Sequence, residues 1–158
     1  MIRYKDSKTE NLSKGLRDSI QLSIDENKGL FVFGGTGTGK TYAMHALARG
    51  KGKVENFPEL LVEYRDYMSR GSYFERIVFL TGQDYLFIDD IGSEKTSDFV
   101  IEFLYILVNK RYGNLKRTVF ATNLSLDDFR DRYGDRVISR IVEMCVMVDM
   151  SGEDRRLS

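Results

Sequence analysis

The chain has 158 residues, of which 42% are hydrophobic and 30% charged, the size and apolar content of one compact domain rather than two. Basic and acidic residues balance at 24 each, so no whole-molecule basic field draws it to nucleic acid or an acidic membrane, and any such contact must come from a local patch. No apolar run approaches the roughly 20 residues that span a bilayer, and the polar N-terminus lacks the apolar stretch of a signal peptide, so a soluble, cytoplasmic protein is expected.

Residues 9–26 place Leu12, Leu16, Ile20 and Ile24 four apart on one helical face, and Asn27, Lys28 and Gly29 supply a stop. Residues 1–28 are therefore read as an N-terminal linker with an amphipathic helix, and residues 29–158 as the core domain. The run Leu30, Phe31, Val32, Phe33 ends in glycines, as a buried strand does, and residues 40–48 are rich in helix formers. From Val54 the signal weakens. Residues 54–57 read as a short strand, and Pro58 suits the first position of a helix running through Leu60, Leu61, Tyr64 and Tyr67 to about Arg70. Ser72 is placed to cap a second helix reaching Leu80.

Residues 85–88 form another apolar strand, closed by Asp89 and Asp90, and residues 97–112 carry Val100, Phe103, Leu104, Leu107 and Val108 at helical spacing. Residues 118–122 are a clear strand. Ser125 or Asp127 then opens a helix to Tyr133, Gly134 breaks it, residues 135–143 form another, and residues 144–150 close the sheet. The single cysteine, Cys145, excludes an internal disulfide and a cysteine zinc cluster and reads as a small buried hydrophobe. Strands alternating with helices predict an α/β fold with a mostly parallel five-stranded sheet flanked by helices.

The loop between the first strand and its helix, Gly34, Gly35, Thr36, Gly37, Thr38, Gly39, Lys40, Thr41, fits the phosphate-binding pattern G-x-x-x-x-G-K-[ST] without departure. Its glycines let the backbone turn through positive φ and bring N–H groups onto phosphates, and the following helix, with Tyr42 in its first turn, adds its positive end. Lys40 neutralises the β- and γ-phosphates and the Thr41 hydroxyl is a magnesium ligand, so ATP or ADP with Mg2+ is the expected cofactor.

Asp89 and Asp90 close a strand, where open α/β sheets present residues to a ligand. Asp89 would hold the metal, through water, and Asp90 would polarise the attacking water as general base, a Walker B arrangement; the plain alternative is a helix cap or turn. Asn123 either orients a water or caps the helix near Ser125. Arg136 and Arg140 share one helical face, as arginines offered to a neighbour's γ-phosphate or as a solvated basic surface. Tyr64, Arg65, Tyr67, Arg70, Tyr73 and Arg76 interleave aromatics with positive charge, which suits single-stranded DNA, although Tyr64 and Tyr67 also fall near Leu60 and Leu61, as core residues would. His45 has no second metal ligand nearby and reads as packed or surface.

In order, the loop 34–41, the segment 85–92 with its Asp-Asp-Ile-Gly, the Phe-Ala-Thr-Asn of 120–123, the Arg-Val-Ile-Ser-Arg of 136–140 and the ending 151–156 resemble the AAA+ domain of DnaC/DnaI-type helicase loaders and the related IstB transposition helpers. The resemblance covers nearly the whole chain from Gly29. It implies a P-loop NTPase of AAA+ type with Asp90 in place of a catalytic glutamate, Asn123 as sensor 1, and Arg136 or Arg140 as an arginine finger. Residues 58–84 occupy the place of the extra helices that line a path for single-stranded DNA. It also implies self-association into a ring or helical assembly, a role in DNA replication, and a replicative helicase or a transposase as partner. Two departures matter. Only residues 1–28 precede the first strand, where loaders carry a helicase-gripping module, and the end at Ser158 leaves a helical lid absent or reduced, which is itself similar to the DnaC/IstB group, with Arg155 or Arg156 read as a late nucleotide contact or, more simply, as terminal charge. A small-molecule P-loop kinase and a nucleotide-gated adaptor with little hydrolysis are the other readings.

Overall fold

The computed structural model describes residues 4–152. Strands β1 (Gly29–Phe33), β2 (Val54–Asn56), β3 (Tyr85–Ile91), β4 (Arg117–Thr122) and β5 (Cys145–Asp149) form one 5-stranded sheet in the order β2-β3-β4-β1-β5. Every neighbouring pair is parallel, as the alternation of strands and helices predicts. The helices are α1 (Lys14–Asp25), α2 (Lys40–Ala48), α3 (Phe57–Ser69), α4 (Tyr73–Gly82), α5 (Asp98–Gly113), α6 (Leu126–Tyr133) and α7 (Asp135–Met144).

Alternate strand residues point to opposite faces, and the sheet is buried on both. Phe31, Ile88 and Phe120 enter a core closed by α3 to α7, whereas Leu30, Val32, Phe87, Val119 and Ala121 pack with α1 and α2. β1 threads tightly between β4 and β5. A Cβ at Gly29 would lie 2.0 Å from the Thr118 carbonyl oxygen, so only glycine allows this approach. Because β4 separates β1 from β3, the carboxyl ends of β3, β4 and β1 stand side by side at one edge of the molecule.

The predicted helix over 9–26 is divided. Thr9–Asn11 forms a 3-10 turn, and Ser13 caps α1 by accepting from the Leu16 N–H at 3.4 Å. A capping hydroxyl competes with helix continuation, which explains the break. Leu12 and Leu16 bury in the second core, while Ile24 stays 46% exposed. α3 begins one residue ahead of Pro58, with Asn56 as its cap.

Arg111, at the end of α5, is wholly buried. Its guanidinium donates to Thr118 Oγ1 (2.7 Å) and to the carbonyls of Leu80 (2.8 Å), Gln83 (2.9 Å) and Arg117 (2.7 Å). It thereby ties the end of α4 to the start of β4. Burial lowers its pKa to about 10, still charged at neutral pH.

Candidate functional site

After β1 the backbone takes φ of 139° at Gly34, 79° at Gly37 and 97° at Gly39, angles that favour glycine. At Gly34 space is limiting as well, since a Cβ would fall 2.7 Å from the Met150 carbonyl carbon. α2 then starts at Lys40 without a side-chain cap, leaving its first N–H groups and its positive end for an anion. Lys40 Nζ donates to the carbonyls of Gly34 (2.7 Å) and Gly35 (2.5 Å) and to Thr38 Oγ1 (3.3 Å). Its ammonium is therefore held inside the loop, where it can exchange these oxygens for those of a phosphate.

Asp89 is buried at the end of β3, accepting from the Asp90 N–H at 2.9 Å and from the Thr41 side chain. Among the described residues no group of three His, Cys, Asp or Glu side chains could hold a metal alone. A hydroxyl beside one carboxylate, opening onto a phosphate loop, is instead the donor set that suits magnesium, which takes few protein ligands and completes its shell with phosphate and water. Burial, partly offset by the Thr41 hydrogen bond, holds the Asp89 carboxyl above its usual range. The folded state thus binds this proton more readily than the unfolded chain does. Where it is ionised in the folded state, Asp89 subtracts from stability, and that cost falls as pH drops through its folded value toward the ordinary carboxylate value. Asp89→Asn is accordingly expected to melt above the parent protein at pH 7, with the gap narrowing at acid pH in a thermal scan. An equal or lower melting temperature at pH 7 would contradict this.

β3 and β4 pair in register up to Ile88↔Phe120 and again at Ile91↔Thr122, so a bulge lies at Asp89 and Asp90. Bulges re-aim side chains, and Asp90 takes a φ of 64° there, a conformation aspartate tolerates at some cost. Its Oδ1 accepts from Ser93 Oγ (2.5 Å) and Asn123 Nδ2 (3.3 Å). Capping of α6 falls to Ser125, which accepts from the Asp128 N–H, so Asn123 is free of that duty and faces Asp90. Thr122 Oγ1 donates to the Ile91 carbonyl at 2.6 Å and locks the two strand ends together.

The loop, Asp89, Asp90, Thr122 and Asn123 line one cavity of about 600 Å³. Its opposite wall comes from the N-terminal segment: Asn11, Leu12 and Leu16 line it with Met150, and the Tyr42 hydroxyl accepts from the Lys8 N–H (3.1 Å) and Asn11 Nδ2 (3.2 Å). No motif in the sequence assigns this segment to the site. Leu12 and Leu16 at helical spacing were its one signal.

Other candidates lie apart from the cavity. Arg140 is tied down, donating to Asn109 Oδ1 (2.8 Å) and the Arg136 carbonyl (3.0 Å) and lying over the rings of Tyr105 and Tyr112. Arg136 is exposed on the same helix. Tyr64 departs from a DNA-facing role: it is 7% exposed and packs 4.6 Å from the Phe103 ring, so burial of its aromatic surface wins. Arg76 is likewise engaged, with Glu63 (2.9 Å) and Glu55 (3.4 Å). Arg70 pairs with Asp66 at the surface and Arg65 lies over the Phe99 ring. Tyr67 (37%) and Tyr73 (47%) remain exposed. His45 stacks on Tyr4, and Cys145 is buried, its thiol pushed up by desolvation. Arg155 and Arg156 lie outside the described residues. No helix among the described residues is long and apolar enough to cross a membrane.

Comparison with known proteins gives the chain a family and relatives of the same fold. A family model described as IstB-like ATP binding protein matches residues 8–158. The replicative helicase loader DnaI of Bacillus subtilis (strain 168) is 24% identical over 150 residues, covering 83% of this chain and 48% of that protein. The chain thus spans about half the length of this curated relative. A crystal structure of the DnaC helicase loader superposes with a TM-score of 0.82 at 25% identity, covering 94% of this chain and 99% of that one. AMPPCP-bound DnaA from Aquifex aeolicus shares the fold, with a TM-score of 0.75 at 19% identity over 91% of this chain and 50% of that one.

Proposed function

The chain belongs to the IstB-like ATP-binding protein family, and we propose that it is a magnesium-dependent ATPase that works in assembly with further copies and acts in DNA replication on a helicase or DNA, as a helicase-loader-like protein. One observation carries this reading: Lys40, Thr41, Asp89, Asp90 and Asn123, from three separate strand ends, line a single cavity.

Magnesium bound at Thr41 and Asp89 would neutralise charge on the β- and γ-phosphates. Lys40 and the α2 N-terminus hold those phosphates, and the wall at Leu12 and Leu16 gives the nucleoside an apolar surface. Asp90, steadied by Ser93 and Asn123, accepts a proton from the attacking water as its oxygen bonds to the γ-phosphorus and the bond to the ADP oxygen breaks. The Asp90 carboxylate, held by Ser93 and Asn123 in the same cavity as the phosphate loop, favours hydrolysis over a gated adaptor that only binds.

Arg136, exposed where Arg140 is engaged, is the better candidate to reach a neighbouring copy's γ-phosphate. Arg136→Ala and Lys40→Ala subunits are each expected to be nearly inactive alone and to regain turnover when mixed, because one supplies the loop and the other the arginine. Phosphate release that shows no gain on mixing, while each protein stays folded, would sink the assembly reading. Membership of the IstB-like family supports a second reading, a transposition helper using the same site. A pull-down with ATP-bound Asp90→Asn protein decides between them by whether a replicative helicase or a transposase is retained. Exposed Tyr67 and Tyr73 keep single-stranded DNA as a candidate ligand, with Arg65 and Arg70 beside them.

A further inference from the structure

Glu94 lies beyond Asp90 in the loop leaving β3 and, although ionisable, has a side chain only 6% exposed. Its carboxylate accepts from the Gly92 N–H (2.9 Å), from the Tyr133 hydroxyl and, at 3.5 Å, from Arg132 Nη2. Arg132 also donates to the carbonyls of Gly92 (2.9 Å) and Glu94. One carboxylate and one guanidinium thus clamp the loop onto the last turn of α6. A buried ion pair is a weak source of stability, because desolvation rivals its attraction, so the clamp is better understood by what it fixes.

It fixes two things. On one side is Ser93, set between Gly92 and Glu94, whose hydroxyl donates to Asp90 at 2.5 Å. Gly92 holds a φ of 101° there, so a turn of the loop would carry that hydroxyl off the carboxylate. On the other side is Tyr133, at the junction of α6 and α7, in the turn that leads to Arg136. Burial and the neighbouring Glu94 raise the Tyr133 phenol, which keeps it a donor.

We propose that Glu94 is a positioning residue, fixing the Asp90 carboxylate through the turn at 92–93 and tying it to the α6–α7 junction that carries Arg136, so that one carboxylate sets both the general base and the arginine offered to a neighbour. This rests on the ATPase reading above. Two variants test it: Glu94→Gln keeps the shape and removes the charge, and Tyr133→Phe removes one donor. Glu94→Gln lowers kcat for ATP about tenfold to a hundredfold, with KM and ADP affinity changed less than about twofold, and Tyr133→Phe falls between it and the parent. Binding of ADP with aluminium fluoride, a mimic of the phosphoryl group in transfer, weakens by a similar factor and reads the effect without turnover.

A purely structural role would lower the melting temperature but leave kcat per folded molecule and the ratio of the two affinities unchanged, and that result overturns the proposal. Lys40→Ala, measured alongside, separates the failures. If Lys40→Ala hydrolyses ATP like the parent, the ATPase reading and the proposal fall together. If Lys40→Ala is silent while Glu94→Gln is unaffected, only the positioning role is lost.

Discussion

Asp90→Asn is expected to slow ATP turnover by about 10²- to 10⁴-fold, the usual range for loss of a general base, while ATP binding changes little. The substitution is chosen for the backbone as much as for the side chain. Asp90 occupies a φ of 64°, which asparagine adopts at least as readily, so the bulge in β3 survives the change. The amide keeps an oxygen to accept from Ser93 and Asn123, as the carboxylate does. Only basicity toward the water is lost. Alanine would mix that loss with backbone strain. Steady-state phosphate release, read against nucleotide affinity on the same protein, checks this; unchanged turnover would remove Asp90 from the chemistry.

Arg111→Met is expected to destabilise the fold by about 3–5 kcal/mol, because it leaves buried acceptors on α4, β4 and the loop before β3 without a donor. For a domain of this size that corresponds to a melting temperature lower by roughly 6–20 °C. Methionine nearly fills the space, so the loss reports on hydrogen bonds more than on a cavity. Arg111→Lys keeps the charge but not the planar fork, which here serves four acceptors on three segments, and should recover only part of the loss. Thermal unfolding of the three proteins tests the ranking, and a methionine variant as stable as the parent would refute it.

What the sequence disclosed divides along a physical line. The strands from Leu30, Tyr85 and Thr118, the loop at 34–41 and α2 were legible because their signals are local: apolar runs, glycines at fixed offsets, a lysine and a threonine. The parallel five-stranded sheet followed from alternation alone. The break before α1 was not legible, since Leu12 and Leu16 keep helical spacing across it while Ser13 caps. Nor was the bulge at Asp89 and Asp90, which depends on how β3 and β4 pair over many residues. Arg111 and Glu94 look like ordinary surface charges in sequence, and only packing of distant segments buries them. Tyr64 had both roles open, and contact with Phe103 decided for the core.

The central claim is that the loop at 34–41 and the Thr41–Asp89 pair form one site for ATP with magnesium. Equilibrium titration of ATP, with magnesium and with the metal chelated, tests it most directly on the parent protein and Asp89→Asn. The parent should bind at least about tenfold more tightly with magnesium, a step of about 1.4 kcal/mol, and Asp89→Asn should lose most of that gain while remaining folded. Affinity indifferent to magnesium in the parent, or a metal-dependent gain kept in full by Asp89→Asn, would contradict it.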